Sequence, residues 1–359
     1  MRPNAGFCRL SRLEIAAGLV FGLVPQTRLP VPFEMGTQTP QDALERAILP
    51  ALMRPPCLMS FSGGGASSAI LAVAVQLARR EGLELPVPAT NRVDGAAGRD
   101  ERSRQERVII HLGLTEWVRL EFADELDLVG PVAMRVLRRQ GFLWPFNAHF
   151  SMPLIEWAAG GSLITGLGYH PFGEPASLLC RDPDPLPWLW PSAQSEIRAR
   201  LTADAASEAR AEQYGTAWWG RLRRVQVGIE LLRRLGAEQR VEVCHPFMDP
   251  VFSTALDQLP MHRRSTHALF GNLLPLELFG RPTTSTHWDA CWGSYSRELA
   301  EAWQGEGVDL GLVDPEALQR QWSLPRPHPR TFLLLQSVAL AQESLTASRV
   351  VSAAGSQPD

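Results

Sequence analysis

A short stretch rich in glycine and serine is the part of this sequence most suited to chemistry. Residues 60–68 read SFSGGGASS and follow the apolar run CLM at 57–59. A glycine turn between a strand and a helix gathers backbone N–H groups and the positive helix end around one point, where an anion can bind. Ser62, Ser67 and Ser68 add hydroxyl donors. The pattern therefore predicts a phosphate-binding turn.

Two better-known phosphate motifs are not present in this chain. The P-loop of nucleoside triphosphatases needs a lysine before its Ser/Thr, but all 35 basic residues here are arginine. The dinucleotide fingerprint GxGxxG is also absent. Taken alone, the run GGG at 63–65 is equally well explained as a tight turn without a ligand, so both interpretations stay open at this point.

The segments that would position the turn alternate between strand and helix. The predicted strands are CLMSFS at 57–62, LPVPATNRV at 85–93, EWVRLEF at 116–122 and GSLITG at 161–166. The helical patterns between them are SSAILAVAVQLARREG at 67–82, DERSRQERVIIHLG at 100–113 and LVGPVAMRVLRRQG at 128–141. This alternation with short glycine turns predicts an α/β fold with a parallel sheet and flanking helices.

Helical patterns dominate the remainder of the chain. They cover 39–52 before the first strand and about 194–235, 250–259, 262–273, 294–303 and 330–345 after the last one. We therefore expect a short N-terminal preface at 1–52 and an α/β domain at 53–300. A helical C-terminal extension at 301–347 and a disordered tail at 348–359 complete the predicted organisation.

Composition excludes several classes of partner. The formal net charge is −3, with acids and bases interspersed, so no basic stripe indicates nucleic acid and no polybasic segment indicates a membrane surface. The apolar run at 15–23 is too short to span a bilayer. Five scattered cysteines without a CxxC motif favour a reducing, cytoplasmic location.

Five segments, taken in order over about residues 55–300, resemble the ATP-pyrophosphatase family in its asparagine-synthetase branch, which includes β-lactam synthetases and lasso-peptide cyclases. SFSGGGASS is similar to the SGGxDSS pyrophosphate loop, or PP-loop. LPVPATNRV and RDERSRQERVIIHLGL resemble a second strand, an acidic DE pair and its helix. GGSLITGLGYHPFGE resembles a strand followed by TGxGxDE. VEVCHPFMDPVFSTALDQLP and LFGNLLPLELFGRPTTSTH resemble the R-x-PFLD segment and the approach to the R-x-x-K catalytic loop.

The resemblance implies an adenine-nucleotide α-hydrolase-like fold and an AMP-forming amide ligase. Such enzymes bind ATP with Mg²⁺, transfer AMP to a carboxylate, release pyrophosphate and let ammonia or an amine attack the acyl-adenylate. The substrate would be a small-molecule or peptide carboxylate. The first fifty residues are too few for a glutaminase domain, so nitrogen would come from free ammonia, a protein partner or an amine on the substrate. The implied nucleotide-binding residues are Ser60, Ser62, Gly63, Gly64, Gly65, Ser67, Ser68, Thr90, Gly166 and Gly168.

The sequence departs from the family at the residues that carry its chemistry. Ala66 stands at the Asp of SGGxDSS, and His170 and Pro171 stand at the Asp and Glu of TGxGxDE. Thr284 stands at the catalytic Lys, with Arg281 as a candidate cation of different geometry. Protein-bound Mg²⁺ usually takes one or two carboxylates, and imidazole is a poor replacement. The family positions therefore provide neither an Mg²⁺ site nor a catalytic lysine, and we expect impaired catalysis.

Three functions stay open on this sequence. The first is an asparagine-synthetase-like amide ligase with impaired turnover, in which Glu174, Asp182, Asp100 or Glu101 could supply a displaced metal ligand. The second is a catalytically silent nucleotide-binding or scaffolding protein, with activity supplied by a partner. The third is a macrolactam-forming cyclase in natural-product biosynthesis, where the attacking amine belongs to the substrate itself.

Two other sites invite a functional interpretation. His149, in FNAHF, could face a substrate, but a hydrogen-bonded structural histidine is favoured. Cys244 and His245 are adjacent and could form a nucleophile or ligand pair. Adjacent residues on a strand point to opposite faces, so a structural role is favoured for both.

Overall fold

A five-stranded parallel sheet forms the centre of the α/β part. The computed structural model describes residues 8–24, 39–93, 99–168, 185–212, 222–279 and 290–354. The strands are β1 (Cys57–Ser60), β2 (Val87–Val93), β3 (Val118–Phe122), β4 (Ser162–Ile164) and β5 (Glu242–Cys244). Their order in the sheet is β3-β2-β1-β4-β5, and every neighbouring pair is parallel. The predicted parallel α/β sheet is confirmed.

Helices connect the strands and continue after the sheet. Those up to β5 are α1 (Arg12–Ala17), α2 (Pro40–Leu52), α3 (Gly65–Glu81), α4 (Arg99–His111), α5 (Pro131–Gln140), α6 (Ser151–Trp157), α7 (Pro191–Glu212) and α8 (Arg223–Glu238). After β5 follow α9 (Pro250–Asp257), α10 (Thr266–Phe270), α11 (Ser294–Ala302), α12 (Pro315–Trp322) and α13 (Phe332–Ala354). Short 3-10 helices lie at Ala148–Phe150, Pro246–Met248, Met261–Arg263, Leu276–Leu278 and Pro329–Thr331.

The C-terminal part is mainly helical, as expected, but its boundaries differ from those read off the sequence. Helix α13 continues to Ala354 and so extends into the segment 348–359, which we expected to be a disordered tail. Residues 355–359 lie outside the described ranges. In those ranges, no helix combines the length and the apolar character needed to cross a membrane.

The sheet separates two hydrophobic cores, because successive strand residues point to opposite faces. Leu58 on β1 and Leu163 on β4 pack into a core with α5, α6 and α8. Met59 and Ile164, one residue later on each strand, pack into the other core with α2, α3 and α9. Both faces are therefore covered, as is usual for a parallel sheet.

Helix α3 follows β1 through the glycine turn and is buried on almost all sides. Ala69 to Val75 are each at most 2% exposed, since the helix lies between the sheet and helices α2 and α10. A helix that is apolar all round belongs in a core rather than at a surface. Its tight packing fixes the position of its N-terminus, where the glycine turn ends.

The N-terminal preface contributes to the same structure. Helix α2 begins with a reciprocal cap, in which the Thr39 hydroxyl accepts from the Asp42 amide at 3.2 Å and the Asp42 carboxylate accepts from the Thr39 amide at 2.9 Å. Helix α2 then packs against α3 and the β4–β5 edge, while α1 packs against α13. Helices α1 and α2 thus complete the cores on either side of the sheet.

Candidate functional site

The glycine turn lies where the strand order reverses. From β1 the chain proceeds to β2 and β3 on one side, and then returns to place β4 on the other side of β1. In open parallel sheets, ligands bind at this switch point, outside the carboxyl ends of the strands. The turn at 61–64 follows β1, and the loop beginning at Thr165 follows β4, so both border the crevice.

The backbone of the turn requires glycine at its first position. Gly63 has φ +74°, a left-handed conformation that side chains rarely adopt. A Cβ atom there would also lie 2.6 Å from Cγ of Gln105 on α4. Gly64 has extended backbone angles and caps α3 without a side-chain hydrogen bond.

Two side chains of α4 hold the carbonyl groups of the turn. Nε of Arg104 donates to the carbonyl oxygen of Gly63 at 3.0 Å, and Nε2 of Gln105 donates to that of Ser62 at 3.1 Å. Gln105 is 3% exposed, so its hydrogen bond is protected from water. These hydrogen bonds from α4 hold the carbonyl groups of Ser62 and Gly63 in place. Sequence reasoning placed both residues on a helix but gave neither a role in the site.

The serines of the motif form hydrogen bonds within the turn. The hydroxyls of Ser62 and Ser67 lie 3.1 Å apart and share a hydrogen bond, and Ser67 also donates to the carbonyl of Gly64 at 3.2 Å. The amide of Gly64 donates to the Ser62 hydroxyl at 3.3 Å. Ser68 is fully buried, and its hydroxyl has no partner in the described part of the chain. Ser62 and Ser67 therefore stabilise the turn, whereas the Ser68 hydroxyl remains unpaired.

The first amides of α3 lack an acceptor among the described residues. The N–H groups of Gly65 and Ala66 have no intrahelical acceptor, as expected at any helix start. No acceptor elsewhere in the described ranges pairs with them. Gly65 itself is buried, but Gly64 and Ala66 on either side of it are partly exposed, and Ser62 is exposed. Unpaired amides at the positive end of a 17-residue helix favour an anion.

The loop after β4 approaches this helix start. A Cβ atom on Gly166 would lie 3.9 Å from Cβ of Ala66 and 4.0 Å from the amide nitrogen of Ser67. Gly168 has φ +91°, and a side chain there would collide with Met248. The structure thus brings Gly166 to the turn. Gly168 lies instead against the segment after β5.

Ser60 is at the end of β1, and Thr90 is in the middle of the neighbouring strand β2. Ser60 is the last residue of β1 and pairs with Ala89 of β2. The Thr90 hydroxyl donates to the carbonyl of Phe61 at 2.6 Å and accepts from Nε1 of Trp117 at 3.0 Å. The Thr90 hydroxyl, which donates one hydrogen bond and accepts another, therefore holds the start of the turn against β2.

The position of Ala66 limits what this site can do with a metal ion. Its methyl group faces Gly166 across the switch point, where it offers no oxygen ligand. In the described ranges, no group of three or more His, Cys, Asp or Glu side chains is arranged to hold a metal ion. Of the other candidate metal and catalytic positions, Asp100 and Glu101 lie in the first turn of α4. The rest lie outside the described residues: His170, Pro171, Glu174, Asp182, Arg281 and Thr284.

The neighbouring Cys244 and His245 point to different partners. The Cys244 thiol donates to the carbonyl of Ala47 on α2 at 3.4 Å, and burial raises its pKa to about 12. Nδ1 of His245 shares a 2.6 Å hydrogen bond with the Thr165 hydroxyl, and burial lowers the pKa of this histidine to about 4. The two residues do not form a nucleophile or ligand pair.

His149 has a structural environment. Its side chain is fully buried, and Nε2 donates to the carbonyl of Leu126 at 2.9 Å. Burial lowers its pKa to about 4, so the ring is neutral at pH 7. The favoured interpretation of a hydrogen-bonded structural histidine agrees with this geometry.

Compared with known proteins, the chain matches no family model, and no curated protein matches it.

Proposed function

We propose that this chain binds ATP, with the phosphates on the glycine turn, and is an impaired amide ligase of the AMP-forming, asparagine-synthetase-like type. The observation that carries the proposal is the pair of amides at Gly65 and Ala66, which lack an acceptor in the described part of the chain and lie at the switch point of a parallel sheet. Backbone amides at such a helix start are well suited to a pyrophosphate group. The order of the resembling motifs along the chain supports the same assignment.

In the reaction of this type, a carboxylate oxygen attacks the α-phosphorus of ATP and pyrophosphate leaves. Ammonia or an amine then attacks the acyl-adenylate, releases AMP and loses a proton. The residues of the turn would bind the leaving pyrophosphate through backbone N–H groups. The hydrogen bonds from Arg104 and Gln105 would keep those groups oriented before the ligand arrives.

The residues present do not fit the Mg²⁺ ion that accompanies ATP in this family. Ala66 has no oxygen to offer, and His170 is a nitrogen ligand in place of a carboxylate. A lysine at the late catalytic loop is also missing, since the chain contains none. Removing one group that stabilises transition-state charge typically costs about 3 kcal/mol, or about a hundredfold in rate. We therefore propose slow turnover, with nucleotide binding that depends little on Mg²⁺.

Equilibrium titration of ATP, with Mg²⁺ and with EDTA, tests the binding proposal. We expect binding in both conditions, with affinities that agree within about threefold, or 0.6 kcal/mol. A requirement for Mg²⁺ would show that other acidic residues hold the ion. No binding of ATP in either condition would contradict the proposed function.

A matched pair of glycine variants localises that binding. Gly63 and Gly82 both have left-handed backbones, with φ +74° and +67°, and they flank the two ends of α3. Alanine at either position strains the backbone by about 1 kcal/mol. At Gly63, which alone belongs to the turn, its Cβ would also displace the side chain of Gln105, whereas nothing lies within 4 Å of a Cβ at Gly82. We expect Gly63→Ala to weaken ATP binding at least tenfold and Gly82→Ala to leave it unchanged.

A catalytically silent nucleotide-binding protein is the second candidate, and the methyl group of Ala66 at the switch point favours it. The two candidates differ in ATP–pyrophosphate exchange with carboxylate substrates. Slow but measurable exchange that Gly63→Ala abolishes supports the ligase. Exchange equal to that of heat-inactivated protein, together with intact ATP binding, supports the silent protein.

A further inference from the structure

Two arginines lie over one tryptophan that is hydrogen-bonded to Thr90 near the glycine turn, and a third arginine is close to the first. The guanidinium carbon of Arg92 lies 5.2 Å from the centroid of the Trp117 ring, and that of Arg119 lies 5.0 Å from it. The charge of Arg102 on α4 is close enough to disfavour the charge of Arg92. We call Arg92, Arg102 and Arg119 the arginine cluster.

The strand register explains why these residues meet. Thr90 on β2 is paired with Arg119 on β3, and Arg92 is paired with Glu121. Residues two apart on a strand share a face, so Arg92 lies on the same face as Thr90, and Arg119 on the same face as Trp117. Trp117 donates to Thr90, which in turn donates to Phe61 at the start of the turn.

The positive charge of the arginine cluster exceeds the negative charge of the carboxylates near it. Glu121 is its one ion-pair partner within the described part of the chain, at 3.8 Å from Nη1 of Arg92, and the Glu121 side chain is 78% exposed. Arg102 and Arg119 make no ion pair with any described residue. Glu106 lies near enough to favour the charge of Arg92, but it is exposed. Exposed carboxylates at such distances contribute little.

Arg92 also has an unpaired buried donor. Its side chain is 15% exposed, and its Nε atom is buried without a hydrogen-bond partner in the described ranges. A buried N–H group on a charged side chain normally finds an acceptor, because leaving it unpaired costs the full desolvation penalty. Burial lowers the pKa of Arg92, and the charges of Arg119 and Arg102 lower it further. An anion bound to the exposed part of the guanidinium would balance the charge, and a rotation of the side chain would let it also accept from Nε.

We propose that the arginine cluster is a binding site for an oxyanion group, a carboxylate or a phosphate, on a small-molecule ligand. The planar guanidinium of Arg92 can give two parallel hydrogen bonds to such a group, and Arg119 and Arg102 add charge from the neighbouring strand and helix. The cluster consists of other residues than the helix start that would hold the phosphates of ATP. The proposal therefore stands whether or not the chain binds ATP.

The Nε–H signals of arginine in nitrogen-15 NMR spectra test the proposal directly. The Arg92 signal is assigned by its loss in Arg92→Met, and the full-length chain is titrated with inorganic phosphate or citrate against chloride at constant ionic strength. We expect at least one of the two anions to shift the signal in a saturable way below about 10 mM. The anion that binds more tightly identifies the class of group. No saturable shift with either anion would overturn the proposal.

Three variants separate this site from the glycine turn. Arg119→Met, at an exposed position, should weaken binding of the anion at least fivefold without unfolding the protein. Arg107→Met, on an exposed part of α4, should leave it unchanged. Gly63→Ala should also leave the Arg92 shift unchanged, although it disturbs the turn. A shift that Gly63→Ala removes and Arg119→Met preserves would place the anion in the turn and contradict the proposed cluster site.

Discussion

Nε of Arg104 on α4 donates to the carbonyl oxygen of Gly63 at 3.0 Å, although the two residues are 41 positions apart. Together with Gln105, this arginine fixes the left-handed turn from outside. A flexible glycine turn would lose conformational entropy when it binds an anion. The hydrogen bonds from α4 reduce that cost, since the turn is already ordered.

We expect Arg104→Met to weaken ATP binding about tenfold, because a hydrogen bond to a charged group contributes about 1.5 kcal/mol. Arg107→Met is the matched control, since Arg107 lies three residues further along the same helix and is exposed. Calorimetric titration measures both affinities, and thermal unfolding shows that both variants remain folded. Equal affinities in the two variants would show that α4 does not organise the turn for binding.

Sequence reasoning located the strands and the turn because their signals are local. The apolar run before three glycines marks β1 and the turn, and the alternation around Trp117 marks β3. The role of Arg104 was not predictable in the same way. Helix α4 is polar on most of its surface, so the sequence does not determine which residues face the turn. Only packing against the sheet decides the rotation of that helix.

Two differences between the predicted and the observed helices have a local cause in the sequence. The segment 262–273 was expected to be one helix, but Ser265 caps a new short helix with its hydroxyl and so interrupts it. Helix α12 was not predicted, although Asp314 followed by Pro315 is a standard helix start. Strand β5 has three residues, like β4, but it lacks the bounding glycines and the continuous apolar run that marked β4.

The replaced family positions predict a gain of activity on restoring the family residues. We expect the triple variant Ala66→Asp, His170→Asp and Thr284→Lys to raise Mg²⁺-dependent ATP–pyrophosphate exchange at least tenfold over the natural chain. The control carries Ala66→Asn, His170→Asn and Thr284→Gln, which have similar shapes without the charges. It should remain at the level of the natural chain. Equal exchange in the two triple variants would contradict the proposed reason for impaired turnover.

A buried aspartate should be important for stability near the C-terminal part. Asp127 is fully buried, and its carboxylate accepts from the hydroxyl of Ser296 at 2.6 Å and from the amides of Ser296 and Val129 at 3.1 and 2.9 Å. It thereby connects the loop after β3 to the start of α11. Asp127→Ala removes these acceptors and leaves buried donors unpaired.

We expect Asp127→Ala to lower the free energy of unfolding by about 3 kcal/mol. Asp124→Ala provides the comparison, since Asp124 accepts from the amide of Ser294 at the same helix start but is less buried. Asp124→Ala should lower the free energy of unfolding by about 1 kcal/mol, which is typical of the loss of a helix cap. Urea unfolding measures both. If both variants lower the free energy of unfolding equally, the greater burial of Asp127 does not make its hydrogen bonds more important for stability.

The buried histidines predict how stability depends on pH. Burial lowers the pKa of His149 from an ordinary 6.5 to about 4. Below pH 6.5 the unfolded chain takes up a proton that the folded chain does not, so stability falls as the pH decreases towards 4. For His149 the loss of stability between pH 7.5 and pH 5 is about 2 kcal/mol.

We expect His149→Gln to have a lower free energy of unfolding at pH 7.5. Between pH 7.5 and pH 5, however, this variant should lose about 2 kcal/mol less than the natural chain loses. His262→Gln, at an exposed position, should leave the slope of the natural chain unchanged. Urea unfolding at intervals between pH 5 and pH 7.5 measures these slopes, and an identical slope in all three proteins would show that His149 takes up its proton in the folded state.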